Sequence, residues 1–119
     1  MDIERSLVAE FLRELKKLIS TGRDFIFVER LENNATVNKL GLTTRIIVDE
    51  LLGLSVGDYC SGPEPDRDIP GQYVWEFGKE INGCEIYIKL KIYDFGPERK
   101  AKCISFHEAN HHMSYPFQN

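Results

Sequence analysis

Ile86-Tyr87-Ile88-Lys89-Leu90-Lys91-Ile92-Tyr93 alternates apolar and polar residues without a break, and that alternation decides the fold. Successive side chains of a strand point to opposite faces, so Ile86, Ile88, Leu90 and Ile92 form one apolar face and Tyr87, Lys89, Lys91 and Tyr93 share the other. Two further strand-like runs flank it, separated by turn signals at Ile81-Asn82-Gly83 and Asp94-Phe95-Gly96-Pro97. Upstream, Tyr73, Trp75 and Phe77 share a face and leave Val74 and Glu76 on the reverse. Downstream, the alternation puts Ile104 and Phe106 inward and Cys103, Ser105 and His107 outward. Three such runs joined by short turns predict an antiparallel meander.

The N-terminal half has a different period. Ile3, Leu7, Val8, Phe11, Leu12, Leu15, Leu18 and Ile19 recur three and four apart, the pattern of an amphipathic helix that ends near Ser20-Thr21-Gly22. Phe25-Ile26-Phe27-Val28 reads as a short strand or an extended connection. Glu32 to Leu40 predicts a second helix with Ala35, Val37 and Leu40 inward. Thr43-Thr44 caps a third that presents Ile46, Ile47, Leu51 and Leu52 before Gly53. Ser61 to Gly71 is dense in Pro, Gly and Asp, and is expected to hold no regular element. With helices first and strands after, the expected class is α+β, the N-terminal helices covering one face of a C-terminal antiparallel sheet.

At 119 residues the chain is the length of one domain, residues 1–119. No stretch approaches the roughly 20 apolar residues that cross a bilayer, so no membrane partner is expected. Met1-Asp2-Ile3-Glu4-Arg5 is acidic where a signal peptide would be basic. Cys60, Cys84 and Cys103 form no CxxC pair, which points to free thiols and a cytoplasmic setting. The net charge of -4 argues against tight binding to duplex DNA. The acidic excess, however, lies within residues 1–70; residues 71–119 are balanced and hold every histidine.

Covering one sheet face leaves the other open, and Glu76, Tyr87, Lys89, Lys91 and His107 can all project from it. A carboxylate, a phenol, two ammonium groups and an imidazole suit RNA cleavage. A base removes the 2′-hydroxyl proton, cations stabilise the charged phosphorane, and an acid protonates the departing 5′-oxygen. Exposed rings such as Tyr93 stack unpaired bases, the usual grip on single-stranded RNA. The ordinary reading of the same residues is the solvated side of a strand. A metal site is the other sharp reading, because His107 and His111 are four apart and would share one side of a helix, with Glu108 and Asn110 nearby and His112 beyond. No CxxC, HxH or HExxH pattern accompanies them. Nothing marks Cys103 as an activated nucleophile.

Leu15-Lys16-Lys17-Leu18-Ile19 followed by Gly22, then Leu40-Gly41-Leu42, Gly53-Leu54-Ser55 with Asp58-Tyr59, Trp75, Ile86-Tyr87-Ile88-Lys89 and Ser105-Phe106, occur in the order seen in the MqsR family of bacterial toxins, which the chain resembles from about Leu15 to His107. The resemblance implies a RelE-like fold, a cofactor-free endoribonuclease that cuts mRNA, and a cognate antitoxin protein. Carried over residue by residue, the family's catalytic tyrosine falls on Tyr87 and the lysine of that strand motif on Lys89. Its catalytic lysine after Ser-Phe falls on His107, and its glutamine after Trp on Glu76. A further family lysine meets Cys60-Ser61 and has no counterpart. The expected catalytic set is therefore His107 as general acid or base with Glu76 its partner, and Tyr87 and Lys89 stabilising and positioning the phosphate, with Lys91 and Tyr93 contacting substrate and no metal. A non-catalytic protein- or RNA-binding domain is the rival expectation.

Overall fold

A computed structural model describes residues 3–118. Its order is α1 (Arg5–Ser20), β1 (Phe25–Phe27), α2 (Leu31–Leu40), α3 (Thr44–Leu52), a 3-10 turn (Val56–Asp58), β2 (Tyr59–Pro65), β3 (Tyr73–Ile81), β4 (Cys84–Phe95) and β5 (Glu98–Glu108). The five strands lie in the order β1-β5-β4-β3-β2. The expected meander is its centre, β3, β4 and β5 pairing antiparallel. The Asn82-Gly83 turn between β3 and β4 puts both residues at positive φ, 50° and 83°, the backbone of a two-residue hairpin whose twist matches its strands.

The expected helices are all present, and the α+β class holds. The periodic face of α1 buries Val8, Phe11, Leu12, Leu15 and Ile19 against Phe77, Ile86, Ile88, Leu90 and Phe106 of the sheet. The Thr43 hydroxyl accepts the Ile46 amide at 3.2 Å and caps α3, which buries Ile47 and Leu51 but leaves Ile46 exposed. No helix among the described residues is long and apolar enough to cross a membrane.

Four expectations are corrected. The sheet is mixed, because β1 pairs with β5 in parallel. The Ser61–Gly71 run holds most of a strand: β2 includes Pro63 and Pro65 and pairs with β3 through two irregularities. Proline is tolerated there because β2 is an edge, where an amide can be missing. Third, β5 carries a bulge. Leu90 faces Cys103 and Lys89 faces Ser105, so Ile104 is the extra residue and the facing reverses across it. Cys103 is consequently buried among the core residues and not outward.

The fourth correction concerns α2, which buries Asn33 and Thr36, with Val37 and Leu40 half-covered and Ala35 exposed. β1 pairs only with Ala101 to Cys103, and the strand edge beyond it needs other partners. The Asn33 amide supplies them: Nδ2 donates to the carbonyls of Val28 and Ile104 at 2.9 and 3.0 Å, and Oδ1 accepts the Phe106 amide at 2.9 Å. The Thr36 hydroxyl takes the Glu108 amide at 3.1 Å. Side chains of a helix thus continue the ladder that β1 begins.

Candidate functional site

Strand register builds the site. Glu76, Lys89 and Ser105 form one row across β3, β4 and β5, and Gly78, Tyr87 and His107 form the next. Alternation puts all of them except the bare Gly78 position on the face away from the helices as side chains. The Tyr87 phenol leans diagonally and donates to the Glu76 carboxylate. Ser61 of β2 donates to the other carboxylate oxygen at 2.6 Å. On the opposite side, the Tyr87 and His107 rings lie 5.3 Å apart and 41° from parallel.

The histidine's tautomer follows from its contacts. His107 Nδ1 is 2.9 Å from the Glu108 carbonyl, which can only accept, so Nδ1 carries the proton. In the neutral ring Nε2 is then the free lone pair, 4.0 Å from Glu32 of α2. With its side chain 15% exposed, the ring is sheltered yet reachable. Burial, and next the bond to Glu76, push the Tyr87 phenol well above its ordinary value, so it remains protonated at physiological pH and acts as a donor. Burial also pushes the nearby Cys60 thiol up to about 12, with Glu76 and Glu85 adding to the shift, and a thiol in that state is a poor nucleophile. Cys103 is raised by burial as well.

Glu76, Tyr87, Lys89 and His107 share two neighbouring rows of one face, as expected, but Glu76 is bound by Tyr87 and Ser61 and is not the partner of His107, and Lys91 is withdrawn. Only 2% exposed, its ammonium donates to Asp66 at 2.7 Å and to Gln72 at 2.6 Å, which pins the loop between β2 and β3. Tyr93 lies farther along β4, with the ammonium of Lys102 5.2 Å and that of Lys91 5.4 Å from its ring centre. His107 and His111 share no helix, since β5 ends at Glu108 and no regular element follows. Among the described residues no three His, Cys, Asp or Glu side chains gather as a metal would need. Ser61 was missed because its strand was hidden among prolines.

The C-terminal segment forms one wall. Ala109 N–H donates to the Glu85 carbonyl at 2.9 Å, and the Tyr115 hydroxyl donates to the Glu85 carboxylate at 2.7 Å. Met113 and Tyr115 settle on Gly78, where a Cβ would stand 2.9 Å from the Met113 sulfur and 2.6 Å from the Tyr115 oxygen. Beyond them Phe117 stacks on Tyr59 at 5.5 Å, and its carbonyl accepts from Arg5 of α1 at 3.3 Å. Only a residue without a side chain admits this crossing. Gly78→Val is therefore expected to displace residues 109–118, at a cost of about 1–3 kcal/mol typical of overpacking. Limited proteolysis would read it, as new cleavage within that segment; an unchanged digest would show the segment held by its other contacts.

No protein-family model, curated protein or solved structure matches the chain.

Proposed function

We propose that the open sheet face is the active site of a metal-independent endoribonuclease, the toxin of a type II toxin-antitoxin system with a RelE-like, MqsR-related fold. The observation that carries this reading is the His107–Tyr87–Glu76 arrangement, an imidazole with a free Nε2 packed against a neutral phenol that is held by a carboxylate. In the proposed reaction the Tyr87 hydroxyl takes the 2′-hydroxyl proton as it passes its own to Glu76. The 2′-oxygen bonds to phosphorus, and protonated His107 delivers the Nε2 proton to the departing 5′-oxygen. A 2′,3′-cyclic phosphate and a 5′-hydroxyl result. Lys89, in the row shared with Glu76, stabilises the phosphorane charge, and Tyr93 offers a ring to a neighbouring base. Single-stranded mRNA is the substrate, duplex DNA is not bound by the toxin alone, and a cognate antitoxin protein restrains it in the cytoplasm.

Cleavage of a mixed-sequence RNA in excess EDTA tests the proposal. Wild-type protein should cut, and His107→Ala and Tyr87→Phe should each lose on the order of 10²-fold in rate. Undiminished cutting by both variants would place the activity elsewhere. The second reading, a non-catalytic binding face for RNA or protein, is favoured by the withdrawal of Lys91, which leaves this face with less positive charge than the sequence suggested. A binder would not cut RNA, and would lose only modest affinity in His107→Ala.

A further inference from the structure

On the helix side of the sheet, at the end remote from Gly78, a groove of about 700 Å³ runs between α1 and the start of β3. Its floor is aromatic: the rings of Phe11 and Trp75 stack at 4.4 Å and 16°, with Ile92 beside them. Its lip carries unusual apolar exposure, Leu7 at 49% and Tyr73 at 51%. Around that floor stand three carboxylates, Glu10, Glu14 and Asp94, and one cation, Arg99. The cation is shared, since Arg99 meets Glu14 at 2.8 Å and Asp94 at 3.2 Å. Glu10 is left without an ion pair among the described residues, and the rim is net negative.

We infer that this groove is a docking site for a basic segment of a partner protein, one that seats apolar side chains on Phe11 and Trp75 and sets ammonium or guanidinium groups against Glu10 and the Glu14–Asp94 rim. The floor and the lip supply the apolar attraction that an acidic patch alone would lack. The surplus of carboxylates selects the sign of the occupant, because a like-charged segment would meet repulsion at the rim. The groove shares Tyr93 with the proposed ribonuclease face, but Glu76, Tyr87, Lys89 and His107 do not line it.

Trp75 is the chain's single tryptophan, so its fluorescence reports on this groove alone. The experiment titrates the full chain with an end-blocked peptide that alternates lysine and leucine, and with its glutamate–leucine counterpart. The basic peptide should give a saturable change in Trp75 emission that weakens with added salt, and the acidic one should give none. Glu10→Lys, at an exposed position, should weaken binding of the basic peptide about tenfold, the scale of a charge reversal facing ammonium groups. Leu7→Ser, which removes apolar surface from the lip without changing the charge, should weaken it too. Equal responses to the two peptides, no saturable response, or an unchanged response in Glu10→Lys would each overturn the inference. So would self-association that shifts Trp75 emission without peptide, since the groove would then belong to a second copy.

Discussion

Replacing Asn33 by leucine is expected to lower stability by about 4 kcal/mol, since each buried polar group left unpaired costs roughly 1–3 kcal/mol. The side chain is fully buried and serves three backbone groups, the carbonyls of Val28 and Ile104 and the amide of Phe106. Leucine keeps the volume and supplies none of those bonds. Asn33→Asp sharpens the argument, because it keeps shape and the acceptor for Phe106 but turns the donor into a carboxylate oxygen facing two carbonyls. Both variants should therefore be destabilised, and the aspartate should regain part of its loss at low pH, where protonation restores one donor. Urea unfolding followed by circular dichroism would measure it. If Asn33→Leu unfolds within about 1 kcal/mol of the wild type, the value of a single net hydrogen bond, the Asn33 amide is not holding the strand edge.

The second large effect is expected at Asp66→Asn. The ammonium of Lys91 is nearly inaccessible and the Asp66 carboxylate, 2.7 Å away, is its one ion-pair partner among the described residues. Removing one member of a fully buried pair costs about 3–5 kcal/mol; the cost here should fall below that range, because Asp66 is half-buried and Gln72 still accepts from the Lys91 ammonium. Lys91→Met, which removes the buried charge itself, should cost less. The pair also sets an acid limb. The bond from Lys91, and then the Asp68 amide, hold the Asp66 carboxyl below its ordinary value. A depressed value in the folded state means that the contribution is complete above the ordinary carboxylate range near 4 and is lost as pH falls through the lower folded value. The difference between wild type and Asp66→Asn should accordingly be largest at neutral pH and shrink below about pH 4. Unfolding curves at several pH values would check this; a pH-independent difference would remove the pair from the account.

What the sequence made legible was periodicity. The i, i+3, i+4 pattern of α1 and the unbroken alternation of β4 are local, and each survives whatever the rest of the chain does. Glu76, Tyr87, Lys89 and His107 could be placed on one face for the same reason. What was not legible depended on a single displaced residue or on a distant partner. The Ile104 bulge reverses the facing of Cys103, and no composition announces it. β2 is hidden because its prolines are compatible with a strand only at an edge, and edge position is a property of the assembled sheet. Lys91 has the same place in the alternation as Lys89, and its withdrawal depends on Asp66 and Gln72, distant in sequence, closing on it. Asn33 lies outside the apolar pattern of its helix, and a polar residue facing inward makes sense only once the strand edge beside it is known.

That edge has a consequence for how the protein behaves in a crowded solution. An exposed row of backbone donors and acceptors is a template on which another chain can add a strand, the first step towards aggregates. The amide of Asn33 and the hydroxyl of Thr36 occupy the row along β5 where β1 stops, and β1 itself is only three residues long. At the far margin Pro63 and Pro65 have no amide hydrogen to offer. Both margins of the sheet are poor templates, which discourages the molecule's own copies from zipping onto it.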